Sequence, residues 1–208
     1  MPMDLHYRST AYVWFDTEYS GLELESAHLL QVAVIVTDAD LRRIFPRDQD
    51  LKLYVRLPEG ARVSPWILEN MPDMLRICRS ELAVDVAEVD ARLADLVRRI
   101  NIPGGEDKRR PVLAGNSIHS DWFLARKYLP RFLSLLHYRH LDVTALKLQW
   151  QDWRQGPAFD KDDPEMMRTY LPEGGQAALD GKRHDAYYDV QASIAELNYY
   201  RSVMLMKE

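Results

Sequence analysis

The sequence predicts one α/β domain, a mixed sheet that opens as an antiparallel meander, continues in short parallel strands and is flanked by helices. Two observations predict it. Three strand-like runs follow one another closely at the start of the chain, and after them segments of helical period alternate with brief apolar stretches. A chain of 208 residues suits a single domain with a sizeable core.

The elements follow in order. Residues 11–15 are β-branched and aromatic, and Leu29–Thr37 is the nearly continuous apolar run of a central strand, interrupted by Gln31. Asp38-Ala39-Asp40 fits a hairpin turn before a third strand at 51–57. Ser64 and Pro65 form a helix start, serine as cap and proline in the first helical position. Val89, Leu93, Leu96, Val97 and Ile100 recur at helical spacing, which predicts an amphipathic helix. Residues 103–110 hold two glycines and a basic run and read as an exposed loop. A buried strand is expected at 111–114, and a helix at 120–136 broken at Pro130. Leu141 and Asp142 make a brief strand before a helix at 143–153, and the last helix runs from about 185 to 206. Between them, residues 154–181 carry five prolines and glycines before Gly175 and an acidic cluster, so they read as a loop-rich insertion with a short helix near Met166.

Composition excludes several classes. The net charge of −5 lacks the positive surplus of a protein that grips a long nucleic acid through many phosphates, but leaves room for a substrate with few. Cys78 is the sole cysteine, which rules out an intrachain disulfide and a cysteine-based zinc site. The first ten residues lack the apolar core of a signal peptide, and no apolar run is long enough to cross a bilayer. The expectation is a cytoplasmic protein with no membrane partner.

Three short segments carry the chemistry. Asp16 and Glu18 stand two apart at the end of the first strand, so their carboxylates face the same way. Two converging anions need a cation between them, although a lone pair of this kind is more often a solvated strand end. Asp121 follows Gly115-Asn116-Ser117-Ile118-His119-Ser120 and lands in the first turn of a helix, where the macrodipole favours an anion by about 0.3–1 kcal/mol. His184 precedes Asp189, which sits beside Val190 in an otherwise amphipathic helix, a costly place for a charge without a cation or strong donors.

In order and spacing these segments resemble the DEDD superfamily of 3′→5′ exonucleases, in the subgroup with a histidine in its last motif, which implies a ribonuclease H-like fold. The chain is similar in particular to the oligoribonuclease branch. Asp16-Thr17-Glu18-Tyr19-Ser20-Gly21-Leu22 looks like its first motif, and Ala114-Gly115-Asn116-Ser117-Ile118 with Asp121 like its second. His137-Tyr138-Arg139-His140-Leu141-Asp142-Val143-Thr144 and Ser193-Ile194-Ala195-Glu196-Leu197 resemble further stretches of it.

The resemblance implies a single exonuclease domain over residues 1–208. It also implies two divalent ions, Mg²⁺ or Mn²⁺, held by Asp16, Glu18, Asp121 and Asp189, with His184 as the general base. Catalytic residues are then His184 and those four acids. Leu22 would wedge against the bases, and Trp66 is the candidate for stacking on one, a buried core tryptophan being the alternative. Ser117, Arg139 and Thr144 match positions that close around the 5′ phosphate, and Tyr138 one that is donated across a homodimer interface. The implied substrates are dinucleotides and very short RNA oligonucleotides. A general exonuclease for longer single strands and a catalytically silent nucleotide-binding module are the alternatives. The chain departs from the pattern in its longer 154–181 segment and in Glu69-Asn70-Met71, where a phosphate-pocket histidine is expected.

Overall fold

Five strands form one sheet in the computed structural model, which describes residues 11–100, 110–172 and 184–205. They are β1 (Tyr12–Tyr19), β2 (Leu29–Thr37), β3 (Leu51–Tyr54), β4 (Val112–Gly115) and β5 (His140–Asp142), in the order β3-β2-β1-β4-β5. β1 pairs antiparallel with β2, and β2 with β3, while β1–β4 and β4–β5 are parallel. This is the mixed sheet expected from the sequence. The helices are α1 (Pro65–Asn70), α2 (Pro72–Cys78), α3 (Val86–Arg98), α4 (His119–Tyr128), α5 (Pro130–Ser134), α6 (Val143–Gln149), α7 (Pro164–Tyr170) and α8 (Ala186–Leu205).

Strand alternation divides the core into two layers. Val13 and Phe15 pack with Val89 and Leu93 of α3, Leu124 of α4 and Phe132 of α5. Trp14, between them in sequence, packs instead with Val190 and Ile194 of α8. One face of the sheet therefore carries α3–α5 and the other carries α8, and each side chain of β1 is committed to one of them.

Several boundaries differ from expectation for local reasons. β1 runs on to Tyr19, four residues past the apolar run, because its polar end still pairs with β2 as far as Leu29, with a bulge after Glu18. β3 stops at Tyr54 instead of Leu57, since Val55 bridges to Val84. Ser64 caps α1 by accepting from the Ile67 amide at 3.3 Å, as its place before Pro65 implies. The helix expected at 143–153 is α for seven residues and then widens into a π turn, Trp150–Arg154. There Trp150 is buried and its Nε1 donates to the Pro157 carbonyl at 2.9 Å. Within 154–181, α7 holds Met166, and residues 173–183 lie outside the described ones.

Candidate active site

Alternation along β1 decides where the carboxylates go. Asp16 and Glu18 share the parity of Trp14 and so face α8, while Thr17 shares that of Phe15 and faces α4. On the first side, carboxylate oxygens of Asp16, Glu18 and Asp189 all lie within 4.8 Å of one another. On the second, Asp121 accepts from the Thr17 amide at 2.9 Å and from its hydroxyl at 2.7 Å. Asp121 thus spends one oxygen locking α4 to the central strand and stands behind the trio.

Asp189 reaches the pair because α8 is docked at its start by β2. Gln31 lies directly opposite Glu18 in the antiparallel register, and residues so paired share a face. Its side-chain oxygen accepts the Ala186 amide at 2.7 Å, satisfying an N-terminal donor of the helix. Asp185 accepts from the amides of Tyr187 and Tyr188 at 3.1 and 3.3 Å, and its other oxygen pairs with Lys52 of β3. The helix entry is held from two strands, and Asp189 follows one turn later.

At the end of β4, a Cβ added at Gly115 would stand 2.8 Å from the Phe15 carbonyl oxygen. Glycine permits that approach, and the chain then turns through Ser117 in the left-handed region (φ 47°) into α4. The Ser117 amide donates to Asp142 at 3.0 Å and to the Thr144 hydroxyl at 2.9 Å, so β5 and α6 brace the turn.

A cavity of about 1020 Å³ opens at this site. Asp16, Glu18, Asp121, Asp189 and His184 all border it, as do Leu22, Trp66 and Ser117. Leu22 is 87% exposed and Trp66 is 47% exposed, so the tryptophan stands at the rim and not in the core. The Trp66 and His184 rings meet edge to face, centroids 4.9 Å apart. His184 also has a left-handed backbone (φ 63°), a conformation costing a non-glycine residue about 1–3 kcal/mol and one that clusters at functional sites.

Three sequence-selected residues stay outside this lining. Thr144 sits behind Ser117 through the bond above. Tyr138 is 78% exposed and accepts a bond from Arg139 Nε at 3.2 Å; neither borders the cavity.

The bare site resists full ionisation. Burial first, then the charges of Asp121, Asp189 and Glu18, holds the Asp16 carboxyl well above the usual carboxylate range. Burial likewise pushes Glu18 to about 8, aided by Asp189 and Asp121. Asp121 is pushed to about 7 by burial, against the pull of its Thr17 hydrogen bonds. This is the electrostatics of a centre shaped for cations, and an all-oxygen donor set suits Mg²⁺ or Mn²⁺.

A consequence can be measured. In the unfolded chain Glu18 and Asp121 ionise near their ordinary values of 4.5 and 3.8, far below the folded ones. Between those limits the folded metal-free protein holds more protons than the unfolded chain, so its stability falls as pH rises. In EDTA the protein is expected to melt on the order of 5–10 °C lower near pH 8 than near pH 5.5, and saturating Mg²⁺ to remove the difference. A melting temperature that climbs across that range in EDTA would contradict this account.

Sequence reasoning missed two members of the site. Gln31 had a signal, being the polar residue that interrupts the apolar run of β2. Lys161 had none: it lies among Asp160, Asp162 and Asp163 in what reads as a solvated acidic turn, yet its ammonium lines the cavity and pairs with Asp189.

Residues 13–197 match the exonuclease (RNase T) family, and the chain belongs to it. It is a metal-dependent 3′→5′ exonuclease of the oligoribonuclease type. The oligoribonuclease of Corynebacterium diphtheriae is 31% identical over 208 residues, covering 98% of this chain and 88% of that one. That of Francisella tularensis subsp. tularensis is 29% identical over 196 residues, covering 93% and 95%. Solved exonuclease I structures share the fold. The Methylocaldum szegediense enzyme gives a TM-score of 0.62 at 21% identity over 92% of this chain. The Escherichia coli enzyme in complex with a dA16 oligonucleotide gives 0.63 at 16% over 93%. This chain spans 40% and 41% of the length of those two proteins. Among the described residues no helix is long and apolar enough to cross a membrane.

Proposed function

We propose that the protein is a cytoplasmic 3′→5′ exoribonuclease that hydrolyses dinucleotides and very short RNA oligonucleotides to 5′-mononucleotides. The observation that carries this reading is the carboxylate trio within 4.8 Å on the wall of a cavity whose rim bears His184. Asp16, Glu18 and Asp189 would hold one divalent ion, and Asp16 with Asp121 a second. Such a pair supplies charge neutralisation at the scissile phosphate and lowers the cost of ionising the attacking water.

The remaining work belongs to the side chains. His184 accepts the proton of the water that attacks phosphorus, imidazole being the side chain suited to proton transfer near neutral pH. The P–O3′ bond breaks, the released 5′-mononucleotide carries the oxygen that came from water, and the O3′ left on the shortened strand takes up a proton from solvent to become a hydroxyl. Exposed Leu22 wedges against the base, and the Trp66 ring offers a stacking face beside His184. Ser117, held by Thr144, lies where a phosphate would enter.

Tyr138 does not border its own cavity, so in this reading it serves a second copy of the chain in a homodimer, while Arg139 closes around the 5′ phosphate with Ser117 and Thr144. Arginine's planar fork suits that task. A pocket closed at the 5′ end has no exit for a longer strand, which limits the substrate to a few nucleotides.

The test is a length profile. With Mn²⁺, kcat/KM on a 5′-labelled dinucleotide is expected to exceed that on a strand of about twenty nucleotides by at least about tenfold, ~1.4 kcal/mol of transition-state preference. Faster cleavage of the long strand would replace this reading with that of a general single-strand exonuclease.

A further inference from the structure

Lys161 brings a positive charge into the carboxylate centre from outside the segments that supply the acids. Its Nζ donates to Asp189 Oδ1, and Asp189 belongs to the trio. The ammonium also borders the cavity and draws the carboxyls of Asp16 and Glu18 downward.

The backbone under this side chain is firmly placed. The Lys161 carbonyl accepts from the Tyr188 hydroxyl, one residue before Asp189 on the same helix. The turn around it is closed by the Asp163 amide on the Asp160 carbonyl at 3.2 Å and the Asp162 amide on Asp160 Oδ1 at 2.9 Å. Asp163 then caps α7 through the Glu165 amide at 2.8 Å, and Met167 and Leu171 pack into the α8 layer. Lysine is delivered to Asp189 by a folded unit and not by a wandering loop.

An ammonium bonded to Asp189 Oδ1 competes with a metal for that carboxylate, and its charge opposes a divalent ion held there. Lysine has a flexible four-carbon stem and can withdraw without moving its backbone. Asp160, Asp162 and Asp163 in the same turn keep the withdrawn charge in an acidic field.

We propose that Lys161 is a tethered cation that stands in the carboxylate centre when metal is absent and must leave Asp189 for a divalent ion to be held there, so that it sets the metal affinity. The inference rests on Asp16, Glu18 and Asp189 forming the metal centre.

The experiment is calorimetric titration of EDTA-stripped protein with Mn²⁺, without substrate. K161M is expected to bind Mn²⁺ about tenfold more tightly than wild type, because the competing charge is gone. The same variant is expected to melt lower than wild type in EDTA at pH 8, having lost its internal counter-ion. K161R, which keeps the charge, should stay near wild-type affinity, and K161Q repeats the test if methionine impairs folding. Unchanged or weaker Mn²⁺ binding by K161M and K161Q overturns the proposal. D189N separates the two levels of inference. If D189N binds Mn²⁺ like wild type, the metal-centre reading itself is wrong. If D189N loses the metal while K161M binds as wild type does, only the role of Lys161 falls.

Discussion

Asp16→Asn is expected to lower turnover of a short oligonucleotide on the order of 10³-fold or more. Asparagine keeps the shape of the side chain and removes its charge. Asp121, Asp189 and Glu18 each act on Asp16 and, with burial, hold its carboxyl well above the usual range. In this reading it is also the one ligand shared by both ions, so its loss disables both. The fold should tolerate the change, since asparagine relieves the crowding of buried anions. D16N is therefore expected to melt no lower than wild type in EDTA while losing the stabilisation that Mg²⁺ or Mn²⁺ confers. Activity within tenfold of wild type in a pure preparation would remove Asp16 from the centre.

The second large effect is expected at His184. His184→Ala should reduce kcat by about 10²–10⁴-fold, the usual contribution of a general base. His184 is not one of the three carboxylates that cluster, so Mn²⁺ affinity should be preserved. A loss confined to kcat would separate proton transfer from metal binding. Added imidazole should restore part of the rate, because alanine leaves space beside Trp66 for a small base. A kcat within about threefold of wild type at neutral pH would show that another group takes the proton.

Much of this architecture was legible in the chain because its signals are local. Leu29–Thr37 is a strand at the limits its apolar run implies, and Pro130 does separate two helices. Asp16 and Glu18 face one way because a strand alternates, and Asp189 announces itself as a charge among apolar neighbours. What stayed hidden depends on pairing across the sheet. Gln31 is opposite Glu18 only in the observed register, and nothing short of that register tells that it caps α8. Lys161 depends on how α7 packs against α8, a tertiary fact without a periodic trace. The π turn at Trp150–Arg154 arises where a buried tryptophan must reach the Pro157 carbonyl, which a helical pattern alone does not encode.

The docking of α8 onto Gln31 has a consequence for synthesis. Asp16 on the first described strand and Asp189 on the last described helix share one carboxylate cluster, with every other described element between them in sequence. Chains emerge from the ribosome N-terminus first, and contacts of such wide separation close late. Until that helix is translated and seated, the growing chain lacks both Asp189 and His184, so the carboxylate cluster is among the last parts of the fold to be completed.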